Sequence, residues 1–415
     1  MNRRQLTLIL VAALVIGGLG LWLRSRRAAS YQTSSGLMGQ KVLGDFDVNS
    51  IAHITIRHGT NEVNLVQKDE VWTVKERGGY KANFSEISEF LRKLWELKII
   101  QAQAIGPSQL ARLELTAEGE KPGTVVELKN AKGEVVRSLI LGKQHRRQPT
   151  ESSPFGGDEG WPDGRYVMVS GKTNLVSLVS ESFSNIEPKP EQWLNKDFFK
   201  IEKVKSVAVT YPNATNSWHI ARDTETSELK LVDAKPDEKL DASKVSSIPN
   251  ALAWPSFNDV VIDPKPEVTG LEKPTVAVFE TFDGFTYTVK VGNKHDDSAY
   301  YLAVAVNANY PKERTPGQDE KPEDKEKLDK EFKEKTEKLN EKFKQEKSLE
   351  PWVFLVPKWS LDSLLKERHA LLTEKKEEPK PAASTATPAH EVSPVDAVLP
   401  PVPPPPEPPK PPKPE

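Results

Sequence analysis

The amino-acid sequence predicts an α+β protein with a single N-terminal transmembrane helix, two tandem repeated sheet-plus-helix domains, a charged helical insert and a disordered proline-rich tail. Three observations lead to this prediction. An uncharged run covers residues 6–23, one pattern of short strands and a helix occurs twice at an offset of ~150 residues, and the last part of the chain loses its hydrophobic periodicity. Strands that come in runs, without strict alternation with helices, are typical of the α+β class.

The uncharged run at residues 6–23 lies between arginines on both sides. At about 1.5 Å rise per residue, a helix of this length just crosses the roughly 30 Å of hydrocarbon in a bilayer. We expect a single-pass signal anchor in a bacterial inner membrane, with the N-terminus in the cytoplasm and the bulk of the chain in the periplasm, because long C-terminal domains translocate largely regardless of charge. A signal peptide cleaved near Ala28 and Ala29 is the alternative, although the run is longer than a usual signal core.

Downstream of the anchor, four segments match in the same order in two copies. The matched pairs are residues 48–56 with 201–209, 84–100 with 243–261, 139–145 with 289–295, and 165–171 with 300–306. The second pair places Trp95 opposite Trp254. The resulting domains are an anchor at 1–29, a linker at 30–46, a first α+β repeat at 47–199, a second repeat at 200–375 with a charged insert at about 312–350, and a proline-rich tail at 376–415.

Within the first repeat, alternation of apolar and polar residues predicts a meander of strands followed by one helix. Strands are expected at 51–57, 62–67, 71–75, 124–128, 135–141 and 166–169, with a short closing segment at 191–199. Ile87, Phe90, Leu91, Leu94 and Trp95 recur at helical spacing, which predicts one helix face on the sheet with Trp95 in the core. Residues 148–164, rich in glycine, proline, aspartate and serine, predict a surface loop.

Two further segments differ from the repeats. Residues 323–347 are almost entirely charged, with opposite charges at i,i+4 spacing, and predict a long helix. Its apolar stripe consists of Leu328, Phe332, Leu339 and Phe343. This helix is either a solvated arm lightly packed on its own domain, or a helix that binds a partner or pairs with itself. Of 34 prolines, 15 lie between Pro379 and Pro414, so the tail predicts an extended spacer, a ligand for an aromatic groove, or a disordered end without a role of its own.

The composition excludes several classes of function. Lysine and arginine total 58 against 60 aspartate and glutamate residues, so the chain has no overall field to attract nucleic acid. There is no cysteine, which excludes thiol catalysis, disulfides, thiolate metal sites and a lipid-bearing cysteine.

No residue is singled out by a reaction motif. Residues 156–159 read Gly-Gly-Asp-Glu, the first four letters of a diguanylate-cyclase signature, but the fifth residue is glycine. His53 and His58 lie five apart beside one predicted strand, so their side chains point to opposite faces. His145 and His295 occupy the same predicted turn in both repeats, which leaves a paired metal or proton site as the alternative to two ordinary polar turn residues. We predict no catalytic, cofactor-binding or metal-binding residues and no cofactor.

Several segments together carry a family likeness. They are the anchor, residues 71–74, 94–97, 141–143 and 291–293, and the strands at Tyr166 and at Tyr300. From about residue 1 to 375 the chain resembles a bacterial domain-of-unknown-function family, numbered four-three-four-zero. The resemblance implies a membrane-anchored extracytoplasmic protein, often encoded beside an ABC-type permease and an auxiliary protein like those of gliding-motility transport systems. It supplies no catalytic residues, and the charged insert and the tail depart from its usual pattern.

These observations lead us to expect a non-enzymatic accessory or scaffold protein. Its expected partners are the membrane, through its own helix, and envelope proteins such as an ABC permease and its auxiliary subunit, with no nucleic acid. One alternative is an envelope-spanning tether that uses the proline-rich tail. Another is an enzyme acting on cell-wall or glycan substrates, with a site in a deep acidic cleft between the two domains. The sequence does not predict the oligomeric state.

Overall fold

The computed structural model describes residues 15, 17–20, 36–147, 161–172, 175–316 and 321–373. Its strands form two large antiparallel sheets, which confirms the α+β class. Sheet I contains β1 (Ile51–His58), β2 (Asn61–Lys68), β3 (Val71–Val74), β4 (Tyr80–Lys81), β5 (Gln101–Ala104), β6 (Thr124–Asn130), β7 (Val135–Arg147), β8 (Trp161–Val169) and β9 (Leu175–Val179). Sheet II contains β10 (Val204–Thr210), β11 (Trp218–Ala221), β12 (Lys230–Leu231), β13 (Asp259–Val261), β14 (Thr275–Thr281), β15 (Phe285–Lys294), β16 (Ala299–Ala308) and β17 (Val353–Pro357).

The two sheets share one strand order. Sheet I runs β4-β3-β2-β1-β6-β7-β8-β9-β5, and sheet II runs β12-β11-β10-β14-β15-β16-β17-β13. Every strand of sheet II has a counterpart in sheet I, and only β4 is extra. The last strand of each order, β5 or β13, precedes the sheet's long central strands in sequence but pairs at the far edge. Both sheets therefore have the same connectivity.

Helices are few and mostly short. They are α1 (Phe84–Glu96), α2 (Pro107–Leu110), α3 (Ala242–Val245), α4 (Pro266–Thr269) and α5 (Pro322–Lys347). Short 3₁₀ turns lie at Val48–Ser50, Lys75–Arg77, Ala111–Leu113, Pro190–Gln192, Ala214–Asn216, Ile248–Asn250, Lys358–Ser360 and Arg368–Leu371.

Helix α1 packs on sheet I through one face, as its periodicity predicts. The side chain of Asn83 caps its N-terminus, and the buried residues are Ile87, Phe90, Leu91 and Leu94. The prediction that Trp95 is a core residue is wrong: it is 37% exposed, and the ammonium group of Lys41 lies 3.5 Å from its ring centroid. Trp95 lies at the edge of the apolar face of the helix. Its ring contacts the ammonium group of Lys41 there, so it is only partly buried.

The second repeat has no equivalent long helix. The segment 243–261, which matched the first helix in sequence, forms the end of α3, the 3₁₀ turn Ile248–Asn250 and strand β13. Pro249 lacks the N–H that would continue a helix and favours a break at this point. Trp254, the counterpart of Trp95, is 71% exposed. The predicted order of elements therefore holds, but not their lengths.

In sheet I the strand predictions are confirmed with shifted ends, and three further strands were not predicted. These three are β4, β5 and β9, all five residues or shorter. Residues 161–164, predicted as part of a surface loop, belong to β8, because the β7–β8 hairpin extends past its bulges to pair Arg147 with Trp161. Residues 148–160 of that loop lie outside the described residues. The closing segment contributes the buried Trp193, Leu194 and Phe199 to the core.

The charged segment forms the predicted long helix, α5. Its two halves differ: Leu328 is 37% exposed, whereas Leu339 and Phe343 pack against the core of sheet II. The stripe thus serves as a packing face only toward the C-terminal end of the helix.

One hydrophobic core runs through both sheets, and aromatic rings join them. Tyr80 of sheet I packs edge-on against Phe257, Trp352 and Phe354, with ring centroids 5.9, 5.1 and 6.1 Å away. Edge-to-face packing of this kind is the preferred arrangement of aromatic pairs. The two sheets therefore form one packed body.

An ion pair closes the same junction. The Nε and Nη2 atoms of Arg77, which follows β3, each donate a hydrogen bond of 2.7 Å to a carboxylate oxygen of Asp259 in β13. Glu191 lies 3.6 Å from the same guanidinium. Hydrogen bonding to Asp259 raises the pKa of Arg77. A two-point guanidinium–carboxylate pair fixes distance and orientation together.

Both sheets lie in one compact unit, Met1–Thr373, and the second unit, Glu374–Glu415, lies outside the described residues. Most of the predicted membrane helix also lies outside them; Val15 and residues 17–20 are helical. In the described part of the chain, no helix has both the length and the apolar character needed to cross a membrane.

We predict that Leu94→Ala lowers the free energy of unfolding by about 2–5 kcal/mol, because it leaves a cavity at a fully buried position. Trp95→Ala should cost about 1 kcal/mol or less, since the ring is capped by a lysine and partly in water. Urea unfolding of both variants measures this contrast. A larger loss for Trp95→Ala than for Leu94→Ala would contradict the packing of α1.

Candidate functional site

Gly142 and Gly292, which precede His145 and His295 in the two repeats, lie inside long strands. The sequence predicted turns after Gly142 and Gly292, but these residues belong to β7 and β15. In β7 the register shifts between Leu141 and Gln144, and in β15 it shifts between Val291 and Lys294. Each shift inserts one extra residue, so each glycine belongs to a β-bulge rather than a turn.

A close backbone approach explains why both bulges contain glycine. A Cβ atom at Gly142 would clash with the carbonyl oxygen of Leu113, and one at Gly292 would clash with that of Thr269. In each repeat the segment before the central hairpin therefore rests on a bare backbone. The bulge re-aims the residues that follow the glycine, which are Lys143 to His145 in sheet I.

Each bulge is followed by a histidine that meets a tyrosine. His145 lies in β7, with its ring edge-on to Tyr166 at 6.0 Å, and His295 follows β15, with its ring edge-on to Tyr301 at 5.4 Å. Their hydrogen bonds differ: His145 Nδ1 is 2.6 Å from Asp163, and His295 Nδ1 is 2.7 Å from the Tyr301 hydroxyl.

The structure does not assemble the sequence's histidine candidates into a metal centre. Across the described residues, no group of three or more potential ligands is placed to hold a metal ion. His53 lies 2.8 Å from the Asn64 side-chain oxygen, and His58 lies 3.3 Å from the Thr124 hydroxyl. Residues 156–159 lie outside the described part of the chain.

A polar cleft of about 1160 Å³ opens beside the bulge of sheet I. Its charged lining residues are Arg112, Glu114, Lys143, His145, Arg146 and Arg165, and Gln103, Gln109, Gln144 and Tyr166 add polar groups. Four cationic side chains therefore converge with one carboxylate. Sequence analysis missed this site because its residues come from three separate segments.

Arg165 supports the cleft from beneath. Its Nε donates to the Gly142 carbonyl at 2.7 Å, and Nη1 donates to the Phe183 carbonyl at 2.8 Å. Burial lowers its pKa, and the nearby Glu114 carboxylate opposes this shift. Arg165 thus holds the bulge in place and adds fixed positive charge beneath the cleft.

A second polar site lies where α5 meets sheet II. Glu346 of α5 is only 4% exposed. Its carboxylate accepts hydrogen bonds from the Tyr287 hydroxyl at 2.8 Å and from the Lys200 backbone N–H at 2.9 Å. Lys342 Nζ is 3.9 Å away. Burial raises the pKa of Glu346, with the Lys200 N–H and Lys342 acting in the opposite direction.

A pocket of about 570 Å³ surrounds this carboxylate. Its rim includes Trp254, whose ring centroid lies 4.3 Å from the ammonium group of Lys200. Glu346 follows Leu339 and Phe343 at i+7 and i+3 on the packing stripe, so helical spacing could have identified it as buried. No sequence signal distinguished Trp254 as an exposed residue.

The fold and these sites define an α+β protein of two fused antiparallel sheets with a common strand order. Residues 72–274 match the model of the family described as Domain of unknown function (DUF4340), so the family likeness drawn from the sequence is confirmed there. The matched region runs from β3 to the residue before β14; it includes the cleft and the junction residues Arg77, Tyr80, Phe257 and Asp259, but not Trp352 and Phe354. No curated protein and no solved structure matches the chain significantly.

We predict that Gly292→Ala lowers the free energy of unfolding by about 2–4 kcal/mol, because the new Cβ must displace the Thr269 carbonyl. The matched control is Gly36→Ala, where nothing lies within 4 Å of the added atom. Chemical unfolding compares the two. Equal effects would contradict the close approach at the bulge.

We also predict a pH dependence that belongs to Glu346. Its pKa is raised in the folded protein, so the unfolded chain loses this proton first, and stability falls as pH rises above the ordinary value of 4.5. Glu346→Gln should remove this part of the fall, since a neutral amide can accept from the Lys200 N–H through its oxygen and donate through its NH2 group to the Tyr287 hydroxyl oxygen. Urea unfolding from about pH 4 to about pH 8 measures it.

The control for this pH series is Glu341→Gln, which changes an exposed glutamate on the same helix. It should keep the wild-type pH dependence. If Glu346→Gln and the wild type lose stability in parallel over this range, the raised pKa of Glu346 is wrong.

Proposed function

We propose that this protein is a membrane-anchored extracytoplasmic accessory or scaffold protein that works with an ABC-type transport system and has no catalytic activity of its own. Three lines support the proposal. The uncharged run at residues 6–23 has the length of a membrane anchor. The DUF4340 match covers residues 72–274. The described surface presents large aromatic residues on a single packed body.

The exposed aromatic residues are the observation that carries the proposal. Trp161, Trp254 and Trp359 are 67%, 71% and 67% exposed. Tryptophan is among the residues most enriched in the energetic centres of protein interfaces, and its ring loses little conformational entropy on binding. Solvent-exposed rings of this size favour a surface that contacts other proteins.

One hydrophobic core joins the two sheets. The exposed contact residues therefore belong to one packed body, which suits a scaffold. The aromatic contacts of Tyr80 and the two hydrogen bonds between Arg77 and Asp259 link sheet I to sheet II. A body without a loose interdomain interface keeps its contact residues at fixed separations. A scaffold that positions two neighbours needs this property more than a hinged cleft does.

Topology is the first test. In intact spheroplasts, an added protease should digest the chain beyond the anchor, since we propose that it lies outside the cytoplasm. Lysed spheroplasts and a cytoplasmic marker protein serve as controls. Protection of the chain until lysis would overturn the extracytoplasmic assignment.

Partner contact is tested by site-specific photo-crosslinking in native membranes. A photoreactive phenylalanine analogue at Trp254 or Trp359 should yield crosslinks to membrane or envelope proteins, and mass spectrometry identifies them. The control places the same analogue at Val135, which is 55% exposed at the start of β7. Crosslinks no different from those at Val135 would remove the main support for a scaffold.

One deletion distinguishes the tether alternative from the scaffold. Removal of residues 379–415 should leave the crosslinks of a scaffold intact. A tether that depends on the proline-rich tail would instead lose its function on this deletion.

A further inference from the structure

The two repeats provide an internal comparison for the cleft beside Gly142. Both have the same strand order, the same bulge, and a carbonyl resting on the bulge glycine. We call the bulge and the connection that rests on it the corner of each repeat. A feature required by the fold should occur at both corners. A feature present at one corner only needs another explanation.

The wall of the cleft is specific to the first repeat. Between β5 and β6 the chain uses residues 105–123, which form α2 and the 3₁₀ turn Ala111–Leu113. The equivalent connection in sheet II is shorter, residues 262–274, and contains only α4. In the second repeat, Asn293 donates a hydrogen bond to the Val268 carbonyl at 3.1 Å and ties α4 to the bulge. The longer connection in the first repeat lines the cleft instead.

The charges at the two corners also differ. Lys143 and Arg146 of β7 align with Asn293 and Asp296 of the second repeat. Arg165 pairs with Gln144 across the bulge, and the corresponding partner of Lys294 is Tyr300. Three of these four aligned positions are basic in the first repeat and neutral or acidic in the second, and the fourth pairs the neutral Gln144 with the basic Lys294. The basic charge is not a requirement of the fold.

The side chains at the mouth are available to a ligand. Arg112 and Lys143 are exposed and have no ion-pair partner among the described residues. They come from two segments, one from the 3₁₀ turn and one from the bulge. Two separated cations suit a ligand that carries more than one oxyanion.

The remaining lining suits hydroxyl groups. Gln103, Gln109 and Gln144 can both donate and accept hydrogen bonds, and Glu114 accepts them. Glu114 adopts a left-handed conformation with φ of 55°, where the second repeat has Gly270 with φ of 67°. A residue other than glycine is disfavoured in that conformation, so its presence indicates a use for the side chain.

We propose that this cleft binds an acidic glycan, a chain of sugars or polyols that carries carboxylate or phosphate groups. Arg112 and Lys143 pair with its oxyanions, and the amide side chains and Glu114 bind its hydroxyls. Arg165 contributes positive charge from beneath without leaving the bulge carbonyl. This binding activity is separate from the scaffold contacts proposed at Trp254 and Trp359, which are not among the lining residues of the cleft.

The test is calorimetric titration of the full-length chain at low ionic strength. The probes are a short oligogalacturonate, a short poly(glycerol phosphate), and a neutral malto-oligosaccharide of matched length. We expect at least one acidic oligomer to bind, more weakly as salt is added, and the neutral oligomer to show no binding. Comparison of the two acidic probes identifies whether carboxylate or phosphate is preferred. Failure of both to bind would overturn the proposal.

The second repeat supplies the variant. The double change Lys143→Asn and Arg146→Asp installs the residues found at the aligned positions, which the same backbone already accommodates. It should weaken binding roughly tenfold or more in a chain that still unfolds cooperatively on heating. The control, Lys132→Asn with Lys68→Asp, makes the same charge change at exposed positions outside the cleft.

A second variant, Arg112→Gln, changes the segment that lines the cleft from the 3₁₀ turn and guards against misfolding of the first. It should also weaken binding of the acidic probe. Equal losses for the cleft variants and the surface control would show that binding is general charge attraction, which would overturn the assigned site. Failure of the scaffold's crosslinks at Trp254 would leave this result unaffected.

Discussion

The close contact between a carbonyl oxygen and a bulge glycine is the constraint on which both halves of this protein depend. In each sheet, the segment before the central hairpin lies directly on the strand, at Gly142 or at Gly292. A side chain at either position would push that segment away from the strand. The contact beside the register shift would then be lost. The bulge then determines where the following residues point. The polar corner of each repeat is a consequence of this one contact.

The repeats show how one backbone supports different chemistry. At the corner of sheet I, a longer connection and basic residues leave an open cleft of about 1160 Å³. At the corner of sheet II, Asn293 hydrogen-bonds across the same space, and Asp296 caps the next turn through the N–H groups of Ser298 and Ala299. At the second corner, the side chains of Asn293 and Asp296 therefore form hydrogen bonds with the neighbouring backbone. The first keeps Arg112 and Lys143 free of ion pairs within the described chain.

The buried carboxylate of Glu346 links three parts of the structure. It joins α5 to Tyr287 of sheet II and to the backbone at Lys200, which leads from the first repeat to the second. A buried carboxylate is costly unless its oxygens are hydrogen-bonded, and here both oxygens accept a bond. This anchors the C-terminal end of α5 while Leu328 near its other end is partly exposed. The charged insert is therefore attached by its base.

The sequence by itself determined the α+β class, the correspondence of residues 139–145 with 289–295, and the amphipathic face of α1, because these depend on local periodicity and on comparison of one segment of the chain with another. Tertiary structure decided what periodicity cannot express. Trp95 shares the helical pattern of core residues but lies at the edge of the packed face, and Trp254 is largely exposed; a lysine ammonium group contacts each ring. Gly142 and Gly292 suggested turns from sequence. That each belongs to a bulge depends on a carbonyl from a distant part of the chain, which the local sequence does not show. The basic cleft gathers residues from segments far apart in the chain, and only the packing of those segments brings their charges together.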